Sequence, residues 1–235
     1  MDLHTTCASC KMESCFKGDK ENMPKNCPMR CSEYMSTIFS KYEDPEIHKF
    51  YQATKMCVGT EDEHRYTPRM RTLIDLCKYM GYKKIGMAFC CMFWEEAELY
   101  AKIIRQHGIE VVSACCLNGG FNITEHDVPL PDVCVKPGFD PACNPIGQAI
   151  LLNEQKTEFN VVMGLCLGHD SLFMKYSDAM CTVMAIKDVA MANGNPLNAL
   201  KLYRNYPEIF FGPSPRERRE AEAAAAAEKQ EEKKE

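Results

Sequence analysis

Apolar residues along this chain follow two rhythms. Four short runs are apolar almost throughout: KIGMAFC at 84–90, IEVVSAC at 109–115, FNVVMGLC at 159–166 and CTVMAIK at 181–187. Runs of this length and continuity predict strands buried on both faces. Between them the spacing shifts to three and four. Ala97, Tyr100, Ala101 and Ile104 mark one face of a helix predicted over 93–107 and closed by Gly108. A further helix is expected over 145–154, entered through Asn144-Pro145. A short one over 170–176 takes Asp170 as its N-cap. Strands alternating with helices predict an α/β fold, a three-layer sandwich around a mostly parallel sheet. Right-handed crossovers then bring the carboxyl ends of the strands to one edge.

The flanks follow other patterns. Residues 1–35 have almost no aliphatic content and read as a cysteine-rich N-terminal extension. The α/β domain is expected over 36–210, and 211–235 is a tail of alanine and charge, disordered or a frayed helix. Asp44-Pro45 opens a helical stretch running to about Cys57. Thr67-Pro68 reads as an N-cap with proline at the first helical position, ahead of the stripe Met70, Leu73, Leu76, Cys77 and Met80, which Gly81 ends. The segment between Cys116 and Cys143 is rich in Pro, Gly and Asp, and a connection that long in a compact domain points to function. Gly194-Asn195-Pro196 reads as a turn before a last core helix.

Bulk properties narrow the class. A chain of 26.7 kDa is long enough for a substantial core. With 26% charged residues and a formal net charge of -5, it lacks the basic face that nucleic acid needs. No run approaches the ~20 apolar residues of a membrane span, and the first residues show no apolar signal region. A cytoplasmic protein is expected, in which thiols stay reduced. That gives meaning to fifteen cysteines. Their odd number fits a disulfide scaffold poorly, whereas clustered thiols in a reducing compartment indicate metal or redox chemistry.

The cysteines fall into two sets. Cys7, Cys10, Cys15, Cys27 and Cys31 have the spacing C-x2-C-x4-C-x11-C-x3-C. The first four can close a tetrahedral thiolate set for zinc or an iron–sulfur cluster, and the metal would supply stability that hydrocarbon burial cannot. Cys27-Pro28 resembles the cysteine–proline ending of ferredoxin cluster motifs, although the remaining spacing differs. The second set sits where predicted strands end: Cys90-Cys91, Cys115-Cys116 and Cys166. Cys134 and Cys143 lie in the long connection. The carboxyl edge of a parallel sheet is where ligands bind. The expected ligands there are Cys90, Cys116, Cys143 and Cys166, with Cys91 or Cys115 as alternates, because neighbours in a strand point to opposite faces. The bland alternative is a group of buried thiols in a core or pocket. His169 and Cys166 are weak candidates for catalysis, and Lys187-Asp188 follow the fourth strand onto the same edge. No GxGxxG and no P-loop is present, so nothing here indicates a nucleotide cofactor.

Several stretches together carry a family resemblance: CASCKMESC with NCP at 26–28, KIGMAFC, VVSACC, CNPIGQA at 143–149 and GLCLGHDSLFMKYSDA at 164–179. Across roughly residues 7–205 the chain resembles the DUF1847 type, a prokaryotic family of unknown function described as predicted metal-binding proteins and common in anaerobic bacteria and archaea. The resemblance implies a metalloprotein and matches at Cys7, Cys10, Cys15, Cys27, Cys90, Cys116, Cys143, Cys166 and His169. The doubled Cys90-Cys91 and the alanine-rich tail depart from the family pattern. Taken together, these readings predict an iron–sulfur protein with one or two clusters, of the 4Fe–4S type, that transfers electrons or does redox chemistry with a partner protein or small molecule. The alternatives are a zinc-binding structural or interaction module, and a thiol-based enzyme or sulfur carrier.

Overall fold

The computed structural model describes residues 5–58, 68–125, 138–191 and 221–226. Thr67, Cys134 and the 194–196 turn lie outside these residues, as does most of the 211–235 tail. The described tail residues, 221–226, are helical and exposed. The chain forms two compact units, Met1–Met80 and Gly81–Glu235.

In the first unit, residues 5–31 form a succession of tight turns and one short helix, α1 (Ser14–Lys17). Among the described residues three longer helices follow: α2 (Ser32–Tyr42), α3 (Pro45–Val58) and α4 (Arg69–Met80). Asp44 starts α3 by accepting hydrogen bonds from the Glu46 and Ile47 N–H groups at 2.9 and 3.1 Å. Helices α3 and α4 pack together, and Lys49 Nζ donates to the Met80 carbonyl at 2.8 Å. The predicted stripe of α4 is buried at Leu73, Cys77 and Met80, whereas Met70 is exposed. Helix α2 has no buried residue. Without a buried stripe, periodicity gave no signal for it.

The second unit is an α/β domain. Strands β1 (Lys84–Phe89), β2 (Glu110–Cys115), β3 (Phe159–Met163) and β4 (Cys181–Ala185) pair in the order β2-β1-β3-β4, and all three pairings are parallel. Among the described residues between 81 and 191, its α-helices are α5 (Trp94–Gln106), α6 (Pro145–Glu154) and α7 (His169–Tyr176). Helices α5 and α6 both pack against β1 and β2, and α6 packs against α7. Strands β1 and β3 are buried almost along their whole length, as their continuous apolar runs require. Gly86 of β1 pairs with Asn160 of β3. A Cβ at Gly86 would overlap the Asn160 side chain and Leu152. Asn160 is itself buried and satisfied, accepting from Thr157 Oγ1 at 2.8 Å and donating to Ser177 Oγ at 2.7 Å.

Strands β1, β3 and β4 are shorter at their carboxyl ends than their apolar runs, whereas β2 ends with its run at Cys115. Strand β1 stops at Phe89, since Cys90 is the extended residue that leads into a tight 3-10 turn at Cys91–Phe93. Strand β3 stops at Met163, because Gly164 turns the backbone into the left-handed region at φ +68. The order of the sheet places β1 and β3 side by side while the connections leave them in opposite directions. The gap beyond their carboxyl ends is therefore the topological switch point, where open α/β sheets bind ligands.

Candidate metal centre

Backbone hydrogen bonds continue past the strands and fix the cysteines at that switch point. The Cys90 N–H donates to the Met163 carbonyl at 3.1 Å, joining the end of β1 to β3. The Cys116 N–H donates to Phe89 O at 2.8 Å, joining the end of β2 to β1. The Cys116 carbonyl accepts from Asn144 N at 2.7 Å, which brings the start of α6 to the same place. After β3, the Cys166 carbonyl accepts from the N–H groups of His169 and Asp170 at 2.9 and 3.2 Å, closing the turn into α7.

Two asparagines clamp the segments that carry Cys116 and Cys143. Asn118 Nδ2 donates to Cys115 O at 2.9 Å and to Asn144 O at 3.0 Å. Asn144 Nδ2 reaches Asn118 O at 3.3 Å, and its Oδ1 caps α6 by accepting from Gly147 N at 2.8 Å. Beneath them, Gln148 is fully buried at 0% exposure and donates from Nε2 to Ala114 O at 2.7 Å and to Phe89 O at 3.2 Å. It ties the last residue of β1 to the penultimate residue of β2, each one step ahead of a cysteine. The proline at the first helical position marked Asn144 as a cap in the sequence. Asn118 and Gln148 carried no such mark, because their roles depend on contacts across the fold.

The sulfurs converge. The Sγ atoms of Cys90, Cys91 and Cys116 all lie within 4.8 Å of one another, a three-thiol group able to hold a metal ion. A tetrahedral site with metal–sulfur bonds near 2.3 Å requires sulfur–sulfur distances of about 3.8 Å, so small side-chain adjustments suffice. Cys90 and Cys116 are buried at 2% and 3% exposure, whereas Cys91 is exposed. Both members of the Cys90-Cys91 pair reach the same spot, because strand alternation ends at Cys90 and the following tight turn swings Cys91 back. The Cys91 N–H also points at Cys116 Sγ, at 3.4 Å.

Cys143 and Cys166 border this group. Cys143 lies near enough to Cys116, Cys166 and Cys90 for their sulfurs to affect its ionisation. Lys187, beyond β4, donates from Nζ to Cys166 Sγ at 3.4 Å and to Cys90 Sγ at 3.6 Å. Burial pushes the Cys116 thiol well above its usual value, with partial relief from the Cys91 N–H. Burial also raises Cys143, against the opposing pull of its hydrogen bond to Cys116 and the charge of Lys187. Burial lowers the Lys187 value, but its contacts with the Cys166 and Cys90 sulfurs outweigh this and hold the ammonium above the ordinary lysine value. Buried thiols gathered at one point exchange protons for a soft metal cation, which neutralises them together.

His169 begins α7 and closes the turn after Cys166 through its backbone. Asp170 differs from its expected place. Gly168 occupies the cap position, and Asp170 Oδ1 accepts from Gly168 N and Ser171 N at 2.9 and 2.8 Å from inside the first turn.

The N-terminal thiols are arranged differently. Cys7, Cys10, Cys15 and Cys27 line one cavity of about 830 Å³ bounded by residues between Thr6 and Met29. The wall is held by short-range bonds: Cys10 N to Cys7 O, Cys27 N to Pro24 O, and Ser14 Oγ to Asn22 O. One longer tie runs from Asn26 Nδ2 to Thr6 Oγ1 at 2.9 Å. Among the described residues up to Cys31, only Ser14 is buried. Cys31 stands outside the cavity lining, at the cap of α2. Among the described residues, donor atoms of three or more potential ligands come within 4.8 Å of one another only at Cys90, Cys91 and Cys116.

A family model described as "Protein of unknown function (DUF1847)" matches residues 27–184, a span that includes every strand-edge cysteine named above. An uncharacterized protein of Methanocaldococcus jannaschii is 35% identical over 190 residues, covering 80% of this chain and 89% of that protein. No solved structure matches.

Proposed function

The chain belongs to the DUF1847 family, and we propose that it is a cytoplasmic iron–sulfur protein whose redox chemistry takes place at the carboxyl edge of its sheet. The observation that carries this reading is the convergence of Cys90, Cys91 and Cys116 at the ends of β1 and β2, with Cys143 at the start of α6 and Cys166 after β3 bordering the group. Thiolates select soft or borderline metals, and iron–sulfur clusters take cysteine ligands from separated segments. Five thiols exceed the four that a closed structural zinc site uses. Cys90, Cys116, Cys143 and Cys166 would hold the cluster, with Cys91 as the outward thiol. The bound cluster would supply one-electron chemistry beside the crevice, in reach of a small molecule or a redox partner protein. A second centre at Cys7, Cys10, Cys15 and Cys27 is supported by the shared cavity and by the lack of buried hydrocarbon around it.

Zinc is the second reading, favoured by the close spacing of the Cys90, Cys91 and Cys116 sulfurs, which suits a single ion. Anaerobic purification, followed by iron, zinc and acid-labile sulfide analysis and electron paramagnetic resonance, decides between them. The expected result is a brown protein with iron and sulfide in equal amounts. Cys116→Ala and Cys10→Ala should each remove one of two signals. A colourless protein with stoichiometric zinc would overturn the iron–sulfur reading, and absence of any stoichiometric metal would overturn both.

A further inference from the structure

Lys187 sits where the charge of a thiolate centre needs an answer. Its Nζ bridges Cys166 and Cys90, the residues that follow β3 and β1 on either side of the switch point. The same ammonium acts through space on Cys143. Among the described residues it is the cation seen to contact the strand-edge sulfurs. The side chain is half-buried, so its charge is incompletely screened by water. A set of metal-bound thiolates keeps net negative charge in a partly buried place, and such charge is costly unless it is paired and hydrogen-bonded.

We propose that Lys187 is the counter-charge of the strand-edge centre, and that its N–H···S hydrogen bonds to Cys90 and Cys166 raise the reduction potential of that centre. The inference rests on the iron–sulfur reading above. Lys187 remains outside the coordination sphere and acts through the two sulfurs, as a positioning residue. Hydrogen bonds to ligand sulfur and nearby positive charge both favour the reduced, more negative form of a cluster. A cluster held by Cys90, Cys116, Cys143 and Cys166 would supply one-electron chemistry here, with an external one-electron donor oxidised by one electron as the counterpart. No bond to sulfur forms or breaks, and Lys187 keeps its protons throughout.

The test is an anaerobic redox titration of the full chain with viologen dyes as the one-electron donor, followed by electron paramagnetic resonance. Wild type is compared with Lys187→Met, Lys187→Gln and Lys187→Arg. The relevant transition is the one that Cys116→Ala abolishes. Methionine preserves much of the stem's packing, so a purely structural role predicts no change in potential. The counter-charge role predicts that Lys187→Met and Lys187→Gln lower the potential by about 59 mV or more, a tenfold shift in the oxidised-to-reduced ratio for one electron. Lys187→Arg should stay close to wild type. Unchanged potential in either neutral variant, at full iron content, overturns the inference while leaving the iron–sulfur reading intact. A wild-type protein without a reducible iron centre overturns that reading itself, before any variant is compared.

Discussion

Gly164→Ala tests how the end of β3 is shaped for its cysteine. Gly164 has φ +68, and a Cβ there would overlap the Phe93 ring. Phe93 is buried and closes the turn that starts at Cys91, so the ring has nowhere to swing without moving that turn. Left-handed backbone costs an alanine about 1–2 kcal/mol, and forcing extra atoms into a packed site costs about 1–3 kcal/mol. The expected loss is therefore about 2–5 kcal/mol. Gly168→Ala is the control, since Gly168 has φ +87 but nothing within 4 Å of its would-be Cβ. It should lose only the backbone share, about 1–2 kcal/mol. Urea unfolding followed by fluorescence of Trp94, the one tryptophan in the chain, reads the second unit directly because its ring packs edge-on against Phe89 at 5.4 Å. The pair Gly164→Ala with Phe93→Leu should recover part of the loss, giving a coupling of at least about 0.5 kcal/mol. Metal content should fall in Gly164→Ala and hold in Gly168→Ala, because only the first displaces the Cys91 turn. Equal losses of stability in the two glycine variants would refute the packing argument.

Asn144→Ala removes both the α6 cap and the grip on Asn118. It should cost about 1–2 kcal/mol in urea unfolding and weaken metal retention against a competing chelator, since the side-chain half of the clamp between the Cys116 and Cys143 segments is lost while the bonds made by the residue-144 backbone remain. Gln148→Leu breaks the bonds to Ala114 and Phe89 but also removes a buried Oε1 that has no partner among the described residues. Its net cost should be about 1 kcal/mol by the same measurement. Metal removal by a chelator should open residues 5–31 to proteolysis while 81–125 and 138–191 remain protected. Mass spectrometry of the fragments checks this, and equal cleavage in both regions would contradict it. The expectation follows from burial, as the N-terminal segment hides only Ser14 whereas the sheet has a core of its own.

Strands β1 and β3 were legible because they are buried on both faces, so continuous apolar runs mark them, and the partly buried β2 and β4 still carry such runs. Their ends were less legible. Cys90, Cys166 and Ile186 extend the apolar runs but lie beyond the strands, since composition does not register a backbone turn at Gly164 or a tight turn at Cys91. That same turn put Cys91 beside Cys90, where alternation along a strand would have sent them apart. Helix α2 went unread because none of its residues is buried. The approach of Cys90 to Cys116 at the ends of β1 and β2 followed from topology. The Asn118–Asn144 clamp, Gln148 and the reach of Lys187 did not, because each depends on which distant segments end up adjacent.

The burial of the strand-edge thiols is graded, and the gradient gives the site a direction. Cys90 and Cys116 are anchored by backbone bonds to the sheet and closed off from solvent. Cys143 and Cys166 are intermediate, and Cys91 is open. Just beyond Cys166, Leu167 is 94% exposed, and Met92 and Trp94 beside Cys91 are also largely exposed. A metal held by the inner thiols would thus have a rigid floor and an outward side of one accessible thiol between apolar neighbours. Rigid inner ligands keep reorganisation small, and an accessible outer side lets a reactant approach. Such asymmetry suits a centre that exchanges electrons or ligands, the role proposed above, better than it suits a purely structural metal.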